Sequence, residues 1–156
     1  MNRLYSILIV IVAFIMFVPL AAATDGHPAW NNQIKGPGRF QVLSKFTNAA
    51  VFDKETGLVW EQSPDVNTRT WLSAQSHCNT KNVGGRRGWR LPTLQELASL
   101  VDTSNASPAL PTGHPFTLTS AQEDGDYWSA TTFAFGTSDA WAVSFGPQYP
   151  LPHGRA

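Results

Sequence analysis

Apolar and polar residues alternate over two stretches in the first half of the chain, and this period of two predicts β-strands. One strand is expected over residues 40–43. Residues 51–60 hold two short apolar segments on either side of a polar turn, which is the usual pattern of a hairpin. In that turn we expect Asp53 to fold its carboxylate onto the backbone amides that follow, and Gly57 to adopt a positive φ.

Apolar positions at spacings of three and four then predict a first helix, which begins after the capping residue Thr70 and ends between residues 79 and 82. Its packed face carries Trp71, Ala74 and Cys78. Residues 83–88 are expected to form a turn, because glycines and arginines replace the periodic pattern there.

A second helix, with a well-marked start, is predicted over residues 94–101. It follows a glycine turn at Gly88. Thr93 and Glu96 have the spacing of a capping box, in which each side chain accepts a hydrogen bond from the backbone amide of the other residue.

A long irregular segment is predicted over residues 102–126, and such segments often carry binding surfaces. The other interpretation is a surface loop that Leu110 and Phe116 pack onto the core. Asp124 and Asp126 lie near its end and are candidate ligand-binding residues. Their carboxylates suit calcium, but the spacing of a twelve-residue calcium loop is missing, so no metal site is predicted.

Two further strands are predicted over residues 127–133 and 140–145, joined by a turn at residues 136–139. Trp141 alternates with polar and small residues in the second strand and is expected on its packed face. Three prolines then remove backbone donors, so an irregular tail is predicted over residues 147–156.

Residues 1–23 are predicted to be a secretory signal peptide, with a positive start, an apolar run over residues 6–18 and cleavage after Ala23. The alternative is an uncleaved anchor, although the apolar run is shorter than the roughly 20 residues of a membrane span. Cleavage leaves a flexible leader at residues 24–39 and one domain at residues 40–146. The protein is therefore expected to be secreted or periplasmic, without a stable membrane span.

The net charge of the chain is near zero, because 11 basic residues balance 11 acidic ones. No general attraction to nucleic acid follows from that balance. Cys78 is the single cysteine, and in a secreted protein this indicates a missing partner, pairing between chains or a free thiol. The four histidines are scattered, with no zinc-ligand spacing, so no cofactor is predicted.

The densest basic cluster consists of Lys81, Arg86, Arg87 and Arg90. It suits contact with sulfated or acidic glycans, or it is a solvated loop. Arg86 and Arg87 are its candidate ligand-binding residues. Arg90 has two interpretations, which are an anion-binding guanidinium and a partly buried arginine paired with Glu96 or another carboxylate.

Several motifs, in a fixed order, resemble the Lcl C-terminal domain family. This is a bacterial domain of unknown function, which is also found at the end of a collagen-like adhesin. They are Asp-Lys-Glu-Thr-Gly-Leu-Val-Trp at 53–60, Gly-Trp-Arg-Leu-Pro-Thr at 88–93, Tyr-Trp-Ser-Ala at 127–130 and Ala-Trp-Ala-Val at 140–143. The resemblance implies a C-type-lectin-like α+β fold, also similar to that of sulfatase-modifying factors. Two short helices pack there on a small twisted antiparallel sheet, with many loops.

The residues that we assign to architecture rather than to chemistry are Asp53, Gly57, Trp60, Trp71, Cys78, Gly88, Trp89, Arg90, Leu91, Pro92, Thr93, Glu96, Trp128 and Trp141. Among them, Trp89 and Leu91 are expected in the core.

The carboxyl end departs from the family's pattern, because members continue into a further strand whose cysteine is the implied partner of Cys78. The sequence is therefore expected to be truncated or frame-shifted, with an unpaired sheet edge and marginal stability.

The resemblance and the signal peptide together favour a secreted or cell-envelope binding or adhesion-type module without catalysis. A glycan, or an extracellular-matrix or cell-surface protein, is its expected partner. One alternative is an enzyme related to sulfatase-modifying factors, which requires a working cysteine or a metal site. The other alternative is a truncated copy without independent activity.

Overall fold

The computed structural model of this chain describes residue 34 and residues 36–123, 125–134, 136–146 and 152–155. Its helices are α1 (Trp71–Thr80), α2 (Leu94–Ala98) and α3 (Ser120–Glu123), and its strands are β1 (Phe40–Val42), β2 (Ala50–Asp53), β3 (Val59–Glu61), β4 (Asp126–Phe133), β5 (Gly136–Ser144) and β6 (Pro152–Arg155). Two short 3₁₀ turns, Gly36–Gly38 and Ser44–Phe46, flank β1. The predicted signal peptide, most of the predicted leader and Asp124 lie outside the described residues.

The first sheet has the antiparallel order β1-β2-β3, and it confirms the predicted first strand and hairpin. Val51 lies opposite Trp60. In the turn, Asp53 Oδ1 accepts a hydrogen bond from the Glu55 amide at 3.0 Å, and Gly57 has a φ of 73°. Both turn predictions are therefore confirmed.

The second sheet has the antiparallel order β4-β5-β6 and corrects two predictions. Gly136 pairs with Phe133, so the hairpin closes between them, and residues 136–139 extend β5 instead of forming the turn. The tail is not wholly irregular, because residues 152–155 form a strand that pairs with β5 and covers the edge expected to be unpaired. Pro152 is tolerated since it is the first residue of β6.

Both predicted helices are present. The Thr70 hydroxyl accepts from the Ser73 amide at 3.4 Å at the start of α1. α2 has the predicted capping box but ends at Ala98, three residues early. The Ser99 hydroxyl donates to the Glu96 carbonyl at 2.7 Å, and the chain tightens there into a turn.

The segment predicted to be irregular contains α3, because the Gln122 side chain accepts from the Thr119 amide at 2.9 Å and closes one helical turn. The rest of the segment joins the two sheets. The Thr117 amide donates to the Gln62 carbonyl, and the Ala109 amide donates to the Phe145 carbonyl. Because its backbone is tied at both ends, this loop belongs to the packed structure.

One core cluster holds the sheets, α2 and the loop together, and it consists of Phe40, Val51, Leu97, Leu100, Leu110, Val143 and Phe145. Phe116 and Trp60 pack against it with partial burial, which confirms the predicted docking of the loop. Trp141 lies outside this cluster, where its ring is 5.1 Å from that of Phe133. Trp89 and Leu91 are only partly buried, so their placement in the core was wrong.

The architecture is a small α+β fold with short helices and antiparallel sheets, as predicted. The finer likeness to C-type lectins stays a prediction. Within the described part of the chain, no helix combines the length and the apolar character that crossing a membrane requires.

Candidate functional site

A central cleft of about 660 Å³ lies between β3, α1, α2 and the loop that follows α2. Its floor is apolar, because core residues from both sheets and from the loop reach it. The apolar lining residues are Leu58, Trp60, Leu91, Leu97, Leu100, Leu110, Phe116, Leu118, Tyr127, Trp128 and Phe145. The cleft falls within the usual range of small-molecule sites, roughly 300–1,000 Å³.

Three ion pairs also line the central cleft, and they are Lys81–Glu61, Arg69–Asp65 and Arg90–Glu96. Each cation faces a carboxylate at contact distance, so these six groups balance one another. Asp126 lines the cleft as a fourth carboxylate beside these three pairs.

Three side-chain nitrogens of cleft-lining residues are shielded from solvent without a hydrogen-bond partner among the described residues. They are Trp60 Nε1, Arg69 Nε and His77 Nε2. His77 Nε2 is 3.4 Å from Asp65 Oδ2, which allows attraction when the imidazole is protonated but lacks hydrogen-bond geometry. By contrast, the indole nitrogen of Trp128 donates to the Arg69 carbonyl at 2.9 Å.

Burial favours the neutral forms of two groups, Tyr127 in the cleft and Cys78 on α1. Burial raises the pKa of Tyr127 to about 12, and its hydroxyl donates to the Gln122 carbonyl at 3.1 Å. Burial also raises the pKa of the half-buried Cys78 thiol. The thiolate, which is the reactive form of cysteine, is therefore disfavoured at neutral pH.

A second surface, which we name the basic-aromatic patch, consists of Lys45, Phe46, Arg86, Arg87 and Trp89. The Arg86 guanidinium lies 5.5 Å from the centre of the Phe46 ring, and the Phe46 and Trp89 rings meet edge to face at 6.3 Å. The three basic side chains are exposed. In the described ranges, no ion pair joins them to a carboxylate.

The patch contains only half of the predicted basic cluster. Lys81 and Arg90 are paired with Glu61 and Glu96. The contact of Phe46, the neighbour of Lys45, with Arg86 was not predicted from the sequence. Lys45 is included because it precedes Phe46 in the 3₁₀ turn Ser44–Phe46, and the Phe46 ring contacts Arg86 in residues 83–88, which we name the arginine loop.

Arg90 is paired with Glu96 as predicted, through contacts of 2.8 and 2.7 Å, but it is not buried. Its side chain is 56% exposed, because the capping box holds Glu96 at the outer side of the helix start. The pKa of Glu96 falls to about 2, mainly through the hydrogen bond from Arg90, against a smaller opposing effect of burial.

We predict that Glu96→Gln lowers the free energy of unfolding by about 0.5–1 kcal/mol at pH 7, a small effect because Arg90 is exposed to solvent. Since the folded pKa of Glu96 is depressed, its stabilisation is complete above the ordinary pKa of 4.5 and is lost as the pH falls toward 2. Urea unfolding at pH 7 and pH 2.5 should show the two proteins converging at the lower pH. Gln95→Ala, on the exposed side of α2, is the control without this pH dependence.

Only one of the two acidic candidate residues lies in the described part of the chain. Asp126 begins β4 and lines the central cleft, whereas Asp124 lies outside the described residues. Across the described ranges, no three His, Cys, Asp or Glu side chains come together in a way that could hold a metal ion.

Comparison with known proteins gives one match. The family model described as the Lcl C-terminal domain matches residues 49–153, a range that includes the central cleft, the arginine loop, β2 to β5 and the first half of β6. No curated protein and no solved structure matches the chain.

Proposed function

We propose, from the premise that this chain belongs to the Lcl C-terminal domain family, that it is a binding module of the secreted or periplasmic space and that it attaches to acidic glycans. The observation that carries the proposal is the basic-aromatic patch. It combines the exposed Arg86 guanidinium with two aromatic rings, and the exposed cations Lys45 and Arg87 are the chain neighbours of Phe46 and Arg86.

The chemistry of the patch suits sulfate and carboxylate groups on a sugar. A guanidinium presents parallel donors that match the two oxygens of such a group. The Arg86 guanidinium lies over the Phe46 ring, and this cation–π contact holds a side chain that remains exposed. Trp89 adds a partly exposed aromatic surface next to these charges.

The arginine loop is also held in one conformation before any ligand binds. Val83 and Arg86 exchange two backbone hydrogen bonds of 3.0 Å, and Trp89 Nε1 donates to the Arg86 carbonyl at 2.9 Å. Gly84 lies against the backbone of Phe46. Such preorganisation favours affinity because less conformational entropy is lost on binding.

The non-catalytic part of the proposal is supported by Cys78. An enzyme related to sulfatase-modifying factors requires a reactive cysteine or a metal, whereas burial raises the pKa of this thiol. A half-buried, protonated cysteine on the packed side of α1 suits a structural role.

Titration with heparin, hyaluronan and neutral dextran tests the proposal. We expect saturable, salt-sensitive binding of at least one acidic glycan and none of dextran. The double substitution Arg86→Ala/Arg87→Ala should weaken that binding about tenfold or more, which is roughly 1.4 kcal/mol.

The matched control is Arg90→Ala, since Arg90 already pairs with Glu96 and should change the affinity less than twofold. Two results contradict the proposal. One is a folded wild-type protein that binds neither acidic glycan. The other is a folded double variant that binds as tightly as wild type.

A further inference from the structure

We infer that His114 is a proton-sensitive latch, whose neutral ring holds residues 111–118 against the core and whose protonation releases them. The segment carries Phe116 and Leu118, which line the central cleft, so its release opens one wall of the cleft. No residue of the basic-aromatic patch belongs to the segment, and the inference therefore does not rest on the glycan proposal.

Ring contacts connect His114 to the core. Its imidazole stacks on the Phe116 ring, with centres 5.8 Å apart and an angle of 29° between the planes. Phe116 in turn meets the core residue Phe40 edge to face at 5.4 Å. The His114 amide also donates to the Pro111 carbonyl at 3.1 Å, so the histidine holds the turn that carries it.

One ring nitrogen of His114 has no use for an additional hydrogen. Nδ1 is shielded from solvent and has no hydrogen-bond partner in the part of the chain that the structure describes. A neutral imidazole tolerates this position, because its single hydrogen can be carried by Nε2. The imidazolium has a hydrogen on both nitrogens, so protonation would leave a charged donor buried without an acceptor. Burial accordingly lowers the pKa of His114 below its ordinary value of 6.5.

The charged groups of the surrounding elements do not offset this cost. The Glu123 carboxylate of α3 favours the protonated ring, but its effect on the pKa is smaller than that of burial. On the side of β1, Arg39 is bound to Asp53, and Lys54 donates to a backbone carbonyl of the 3₁₀ turn Gly36–Gly38 at 3.2 Å. The proton on His114 therefore gains too little attraction to remain in the closed segment.

The direction of the pH effect follows from this preference. Above pH 6.5, the His114 ring is neutral whether the segment is closed or released, and the packing contacts favour the closed form. As the pH falls below 6.5, the released segment binds the proton more readily, because the pKa of the closed form is depressed. The closed form then loses stability. Carboxyl groups ordinarily titrate near pH 4, so this change precedes theirs.

Amide hydrogen exchange of Thr117 measures the release, because this amide donates to the Gln62 carbonyl in the closed segment. After correction for the intrinsic pH dependence of exchange, its protection should fall about threefold or more between pH 7.5 and pH 5. The Asp53 amide, which is bonded to the Leu58 carbonyl in the first hairpin, should stay within about twofold. In a ¹H NMR titration of the wild-type protein, the His114 ring should titrate below pH 6.5.

His114→Phe keeps an aromatic ring beside Phe116 but cannot be protonated, so its Thr117 protection should not fall on acidification. The matched control is His77→Gln, on α1, which should keep the response of the wild-type protein. Three results overturn the inference. They are unchanged Thr117 protection in the wild-type protein, a His114 ring that titrates at or above pH 6.5, and a full pH response in folded His114→Phe. The first two need no variant, so the test holds even where the substitution impairs folding.

Discussion

Replacing Asp53 by alanine is expected to lower the free energy of unfolding by about 3 kcal/mol, because it removes the buried, doubly hydrogen-bonded partner of a buried arginine. Arg39 then keeps only the partly exposed Glu55 carboxylate, 3.3 Å from its Nε. Asp53 is 0% exposed and Arg39 is 6% exposed. Arg39 donates to both carboxylate oxygens, from Nε at 2.9 Å and from Nη2 at 2.7 Å. The same carboxylate accepts from the Thr56 hydroxyl at 2.9 Å and organises the β2-β3 turn.

The loss should also change the response to acid. Burial raises the pKa of Asp53, but the hydrogen bond and the charge of Arg39 outweigh it, so the pKa lies below its ordinary value of 3.8. A depressed pKa stabilises the fold above that ordinary value and ceases to do so as the pH falls through the folded pKa. The wild-type protein should therefore lose more stability than Asp53→Ala as the pH is lowered below about 4.

Urea unfolding followed by tryptophan fluorescence measures both effects. Asp65→Ala is the matched control, because Asp65 also pairs with an arginine but lies at a more exposed position, and its effect should be much smaller. Joint replacement of Arg39 by Met and of Asp53 by Leu should recover much of the loss, since it removes both charges. An Asp53→Ala protein as stable as wild type would show that the pair contributes nothing to the fold.

The sequence predicted the parts of this fold that depend on neighbouring residues. The Asp53 turn, the Thr70 cap and the capping box of Thr93 and Glu96 are all set within about four residues. Local hydrogen bonds of this kind follow from residue type and spacing. They account for the correct strands, helix starts and hairpin.

Partnerships between distant segments were not predictable in the same way. Arg39 was assigned to a flexible leader, whereas the register that places Phe40 opposite Asp53 brings it onto the buried carboxylate. Lys45 joins the basic-aromatic patch only through the packing of its turn under the arginine loop. No period or motif specifies a register or a contact across forty residues.

The central cleft shows the same limit for the candidate site. Trp60 was predicted to lie in a strand, and no role was predicted for Arg69. Their common placement beside α1, α2 and the loop after α2 depends on tertiary packing. Whether a buried donor such as Trp60 Nε1 has an acceptor becomes visible only when every possible partner is placed.

Gly84→Ala is expected to lower the free energy of unfolding by about 2–4 kcal/mol, through two additive effects. Gly84 has a φ of 56°, which is unfavourable for alanine. A Cβ at this position would also stand 2.5 Å from the Cα of Phe46, closer than any real contact, and backbone cannot move aside as a flexible side chain can. The arginine loop must then lift from the turn that supports Arg86.

Gly85→Ala isolates the conformational effect. Gly85 has a φ of 80°, but a Cβ added there meets no atom within 4 Å. It should therefore cost only about 1–2 kcal/mol, the conformational part alone. Urea unfolding of both variants gives the steric part by difference. Because that steric contact joins the loop to Phe46, Gly84→Ala should also weaken glycan binding more than Gly85→Ala does. Equal stabilities would mean that the loop does not rest on Phe46, and the preorganisation of the basic-aromatic patch would then lose its structural basis.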